Sequence, residues 1–196
     1  MAAVKKLCPH SIIIERGSLR ILGRTENVIS HYLANVASIS AIPLGERQDR
    51  KGDGRMRFVK FNVSQGSPSP DSAVLGSATR IDLFYEGSPP LRNVHVSLAF
   101  YGNDGERVFW ISNEISESVF KEIPPKGKIS VYFEKFPLVS GKYTVNLYCE
   151  VGKNLSDWIQ SAAEVFVHPG DFYGSGKLPP NWAGPVIVPN RWEFSD

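Results

Sequence analysis

Cysteine and histidine are scarce, with 2 and 4 copies in 196 residues. Cys8 and Cys149 lie far apart, the second inside an apolar alternating run, so a disulfide framework is not expected and both read as reduced thiols in a reducing compartment. His10, His31, His95 and His168 lack metal-ligand spacing, and no G-x-S-x-G elbow accompanies them, which argues against a metal site or a hydrolase triad. No cofactor is expected. An excess of one charge is also missing: 22 Lys and Arg face 20 Asp and Glu, for a net charge of +2. The basic residues are scattered, so nucleic acid is not an expected partner. No apolar stretch approaches the roughly 18 residues of a membrane span. Near the N-terminus, Ile12-Ile13-Ile14 stops at Glu15-Arg16 with no small-residue cleavage site after it, unlike a signal peptide. The Gly-Lys pairs at 127, 141, 152 and 176 lack the remaining residues of G-x-x-x-x-G-K-[ST], so no phosphate cradle is expected. Asp49 and Asp53 lack the alternating ligands of a calcium loop. Glu114 and Glu117 could form a carboxylate pair, but nothing places either in a pocket that would raise its pKa. Asn62-Val63-Ser64 and Asn154-Leu155-Ser156 read as chance matches to the glycosylation pattern.

What is present is strand signal. Runs rich in β-branched and aromatic residues recur at Arg57–Val63, Thr79–Glu86, Val94–Tyr101, Arg107–Ser112, Ile129–Glu134, Tyr143–Val151 and Ser161–His168, separated by Gly, Ser, Pro and Asn turns. They predict an all-β chain, an antiparallel β-sandwich of immunoglobulin-like or jelly-roll type, over residues 55–169. In PLVSGKY, Leu138, Gly141 and Tyr143 resemble a tyrosine corner, in which the phenol bonds back to upstream backbone. Before the sandwich, two short strands around a turn at Arg16-Gly17 and a helical spacing of Val28, Ile29, Tyr32 and Leu33 predict a short α+β appendage over residues 1–36. Residues 37–54, charged and ending in Gly52-Asp53-Gly54, read as a linker. The tail, 170–196, is rich in Gly and Pro yet carries Phe172, Tyr173, Trp182, Val186, Ile187, Val188 and Trp192, so it is expected to pack on something.

Period 2 sorts side chains between the faces of a sheet. One set takes Val94, Val96, Leu98 and Phe100 with Val145, Leu147 and Cys149. The opposite set takes His95, Ser97, Tyr101, Trp110, Asn146, Tyr148 and Phe166. If these strands share one sheet, its outer face mixes rings with amide and hydroxyl groups. Such a face suits a sugar, whose C–H side stacks on a ring while its hydroxyls bond to polar groups. The competing reading covers those rings with the tail or a second subunit.

Two regions resemble known families. Val4–Leu33 (VKKLCPHSIIIERGSLRILGRTENVISHYL) resembles the last strands and closing helix of an ABC-transporter ATPase domain. GDGRMRF at Gly52–Phe58, PLVSGKY, Asp157, the run Ala163–Val167, GDFYGSGKLPP and Trp192 resemble the C-terminal domain of Wzt-type ATPases from polysaccharide (O-antigen) exporters. That resemblance implies a carbohydrate-binding domain for the end of a lipid-linked polysaccharide, working with the transporter's permease and ATPase subunits at the cytoplasmic side of the inner membrane. It also implies a homodimer exchanging C-terminal strands, with Val186-Ile187-Val188 as the exchanged strand and Phe172, Tyr173 and Trp192 in the dimer tail. The Walker motifs, signature sequence and His switch are absent, so the chain is expected to be no enzyme: either a truncated piece of a longer exporter subunit or a split module acting in trans. An assembly module that dimerises the ATPase without touching glycan is the alternative function, and a polysaccharide-modifying enzyme a third.

Overall fold

The computed structural model describes residues 2–15, 17–40, 42–64, 71–180 and 182–194, with side chains left out at residues 2, 3 and 33–40. The chain opens with a short helix, α1 (Ala2–Leu7), then an antiparallel hairpin of β1 (His10–Glu15) and β2 (Ser18–Arg24), then helix α2 (Thr25–Ser40). Thr25 anchors the start of α2: its hydroxyl hydrogen-bonds Ser11 Oγ at 2.7 Å and donates to the Cys8 carbonyl at 2.5 Å. Val28 and Ile29, on the helix face toward the hairpin, are buried. No helix of the described residues is long and apolar enough to cross a membrane.

The rest is strand-dominated. In chain order come β3 (Arg50–Lys51), β4 (Met56–Ser64), β5 (Ser72–Val74), β6 (Thr79–Gly87), β7 (Leu91–Tyr101), β8 (Arg107–Ser112), β9 (Phe120–Ile123), β10 (Lys126–Phe133), β11 (Gly141–Val151) and β12 (Asn154–His168). Among the described residues they form two sheets, a sandwich-like pair. The larger has seven strands in the order β3-β12-β11-β7-β8, with β5 beside β12 and β9 beside β7; the smaller has three, β10-β6-β4. All pairings are antiparallel except β5 with β12.

Alternation explains the core. Every second residue of β11, from Tyr143 through Val145, Leu147 and Cys149 to Val151, is buried, and β7 supplies Val94, Val96, Leu98 and Phe100 beside them. The small sheet answers with Phe58, Ile81, Leu83 and Ile129. At one end the rings interlock: Phe100 stacks on Phe109 with centroids 4.4 Å apart, and Phe136 meets Phe133 edge-on at 5.1 Å. Beyond area burial, such pairs add about 0.5–1.5 kcal/mol each. The phenol of Tyr143 donates to the Val139 carbonyl at 3.1 Å, the bond that the PLVSGKY motif predicts.

The structure extends the sequence reading in three places. Strand β12 begins at Asn154, not Ser161, because its polar first half points inward. Ser156 Oγ accepts from Met56 N at 2.7 Å and donates to Met56 O at 3.1 Å, and Asp157 Oδ2 accepts from Phe58 N at 2.9 Å. Residues 44–51 pack against the sandwich. Leu44 and Arg47 are buried, β3 pairs with Trp158 and Ile159, and Arg50 reaches Asp157 at 3.3 Å. Gly52 sits at φ +125°, and a Cβ there would lie 2.3 Å from the Ser156 carbonyl oxygen, so this crossing needs glycine. Finally, β5 and β9 are short strands that alternation alone did not single out.

Candidate functional site

The outward set predicted from alternation comes together on one face, because β8, β7, β11 and β12 are neighbours in the large sheet. The register defines its rungs. Tyr101 faces Thr144, which faces Glu164. Trp110 faces Ala99, which faces Asn146. Ser112 faces Ser97, then Tyr148, Trp158 and Lys51. His95 faces Glu150, and Phe166 lies opposite Lys142.

Residue size shapes this face. Strand β7 contributes only Ser97 and Ala99 to its middle rungs, and they are 8% and 9% exposed. They floor a trough walled by Trp110, itself 45% exposed, on the β8 side and by Asn146 and Tyr148 on the β11 side. The Tyr148 hydroxyl donates to Glu150 Oε1, which fixes the ring and pushes the phenol pKa up to about 12 through that bond, with burial adding to it. Trp158 continues the aromatic row, with Lys51 Nζ 5.0 Å from its ring centre. Sequence reasoning missed Trp158 because it started the strand after it.

Asn146 stands where the face meets a bulge in β12. Its Oδ1 accepts from Ser161 N at 2.7 Å, and Ser161 itself has φ +48°. From the far side Arg47 clamps the same bulge, donating to Ser161 O at 2.5 Å and Gln160 O at 2.8 Å while its guanidinium pairs with Asp49. That hydrogen bond from Arg47 holds the Asp49 carboxyl below the usual range. Beside the bulge runs a groove of about 670 Å³. Tyr101, Thr144, Asn146 and Glu164 line its sheet side, and Tyr32 and Lys5 of the appendage its other. Lys5 also lies 3.6 Å from Asp104 in the loop after β7.

The predicted residues are therefore spread along the face. Tyr101 and Asn146 border the groove, Ser97, Trp110 and Tyr148 form the trough, and His95 lies at one end with its Nδ1 3.5 Å from Glu114. Phe166 lies at the other end under the Lys142 ammonium, 5.7 Å from its ring centre. Among the described residues no group of three or more His, Cys, Asp and Glu could hold a metal ion.

Part of the tail packs against the sandwich. Phe172 is buried against the core, and Gly76 at φ +78° lets it approach, since a Cβ there would lie 2.6 Å from Phe172 Cα. The Tyr173 hydroxyl donates to Val188 O at 2.8 Å. Val186 bridges Leu138, and Ile187 N donates to Pro137 O at 2.8 Å. Trp192 is 92% exposed.

A family model described as the Wzt C-terminal domain matches residues 47–178. The chain belongs to this family. Membership gives the chain a non-catalytic, carbohydrate-recognising role in ABC-transporter export, with no ATPase activity in this region, in association with the transporter's permease and ATPase machinery. The fold is similar to a crystal structure of the C-terminal domain of Wzt, with a TM-score of 0.58 at 14% identity, covering 77% of this chain and 92% of that one. More remote is a Parabacteroides merdae β-glucuronidase, with a TM-score of 0.36 and 14% identity over 59% of this chain and 14% of that one. No curated protein matches the chain in sequence.

Proposed function

We propose that the outer face of the large sheet binds the terminal part of a lipid-linked polysaccharide and offers it to the exporter at the cytoplasmic side of the inner membrane. The observation that carries this reading is the trough: a floor of small residues, Ser97 and Ala99, between the Trp110 ring and the Asn146 and Tyr148 side chains. A pyranose presents one C–H face for stacking and hydroxyls at its edge, and that combination of ring and amide matches it. Trp158 and the groove at Tyr101 and Asn146 extend the row far enough for more than one sugar.

The sandwich is of the immunoglobulin-like kind in this reading, supported by the Tyr143 corner. Exchange of the C-terminal segment between two copies is supported by the form of its backbone pairing, a single two-bond bridge of Val186 with Leu138, which the same residues of a second copy could make, as they could the Tyr173 bond to Val188. The exposed rings Trp182, Trp192 and Phe194 would then gain cover.

Titration of the full chain with the polysaccharide of its own host, by calorimetry, tests the site. Trp110→Ala and Tyr148→Ala are expected to weaken binding by about tenfold or more each, with circular dichroism unchanged. Unchanged affinity in both variants would move the site off this face. No binding by the full chain would favour the assembly reading, in which the tail's only task is dimerisation.

A further inference from the structure

The two sheets are unequal, and their mismatch leaves an opening on one side. Strand β8 ends the large sheet and β10 ends the small one, and between these two edges lies a cleft of about 590 Å³, within the roughly 300–1,000 Å³ of small-molecule sites. It reaches inward to Val96 and Leu98, which belong to the core, and its walls are Ile111, Ile129, Val131 and Phe133. The exposed side chains of Ile115 and Tyr132 stand at its mouth.

Two features define what would fit. Charged residues make up 21% of the chain, yet none of the residues lining this cleft is charged. The asparagine and serine side chains around it are already engaged with the protein. Asn113 bonds Val96 N and the carbonyls of Val94 and Ser118. Ser112 Oγ accepts from Glu114 N, while Ser116, Ser118 and Ser130 donate to Ser112 O, Ser116 O and Asp82 Oδ1. A sugar or an ionised headgroup would exchange its hydration for little in return. A hydrocarbon loses nothing there, and apolar cavities take up apolar molecules.

We infer that the cleft between β8 and β10 binds an uncharged hydrocarbon chain, prenyl or linear. The site is separate from the glycan reading, because it lies between the sheets whereas the trough lies outside them. Trp110, at the boundary of the two, is left intact in the test.

The test uses the full chain and N-phenyl-1-naphthylamine, a neutral probe that fluoresces in apolar surroundings. Saturable enhancement is expected, reversed by farnesol if the site prefers a prenyl chain, by dodecanol if it prefers a linear one, and by both if chain type is immaterial. Ile115→Asp places a charge at the mouth, and Val131→Trp fills the interior; each is expected to weaken probe binding by about tenfold or more. Ile115 is exposed, so its variant folds even if the Val131 variant does not. Absence of saturable enhancement in the unaltered chain, or undiminished binding by Ile115→Asp and every folded Val131 variant, would overturn the inference. Polysaccharide binding measured on the same samples fails or survives independently, which separates this site from the outer face.

Discussion

The sandwich and the N-terminal hairpin–helix unit bury their apolar residues in opposite ways. In the sandwich, alternation sends one set inward, where Phe58, Ile81, Leu98 and Val145 meet across two sheets and are fully closed off. In the hairpin both sets are apolar. Ile13 and Ile21 turn toward α2, while Ile12, Ile14, Leu19 and Leu22 remain exposed, Ile14 at 62% and Leu22 at 67%. A two-stranded hairpin is marginal by itself in water. The contrast indicates that the sandwich carries its own folding free energy and that the appendage leans on what surrounds it.

The largest effect expected from breaking that contrast is in the ring cluster. Phe100→Ala should remove about 3–5 kcal/mol from the unfolding free energy, read from urea denaturation, because the void lies between two rings and cannot collapse. A cost below about 1 kcal/mol would mean that the sandwich interior is as open as the hairpin's outer face.

Next comes the buried ion pair that ties residues 44–51 to β12. Asp157→Ala leaves Phe58 N without its acceptor and Arg50 without its carboxylate, although Arg50 keeps the Leu44 and Phe58 carbonyls. A loss of about 2–3 kcal/mol is expected. The pH dependence sharpens this. Burial raises the Asp157 carboxyl above its ordinary value of 3.8, despite the nearby Arg50 and the Phe58 amide. A folded pKa above the unfolded one means that this group's contribution is full below 3.8 and is lost as pH rises through the folded value. Asp157→Asn should therefore gain on the unaltered chain as pH rises from acid to neutral, and an advantage that grew toward acid would reverse the assignment. Asp49 runs the other way: its lowered pKa supplies stability above the ordinary value that is lost as pH falls.

How much of this was legible in the sequence follows from the same residues. Strands β8 and β11 show in the alternation because hydrophobic side chains mark the inward face, and so does the outward grouping of Trp110, Asn146 and Tyr148. Strand β3 and the first half of β12 do not show, since Arg50, Ser156 and Asp157 point inward to satisfy backbone groups and periodicity reads polar as outward. Trp158 was lost with them, and with it the rung that joins it to Tyr148. The trough depended on register, which places Ala99 between Trp110 and Asn146 and which no single strand encodes.

A smaller change tests the corner on which the sandwich turns into β11. Tyr143→Phe keeps the ring and removes the bond to the Val139 carbonyl, so a loss of about 1 kcal/mol is expected in the thermal or urea transition. A neutral result would make the ring, not its hydroxyl, the structural element.

The smallest effect belongs to the appendage, and it decides whether the contrast holds. Leu22 stands on the outer face of the hairpin opposite Ile12, with water as its neighbour. Leu22→Ser should change the unfolding free energy by no more than about 0.5 kcal/mol, because the side chain gives up no burial in the folded state. What it should change is self-association, since it interrupts an apolar stripe formed by Ile12, Ile14 and Leu19. Sedimentation velocity of the two proteins at matched concentration would show less association for the serine variant. A destabilisation above about 2 kcal/mol would instead place Leu22 in a folded interface and make the hairpin part of the same cooperative unit as the sandwich.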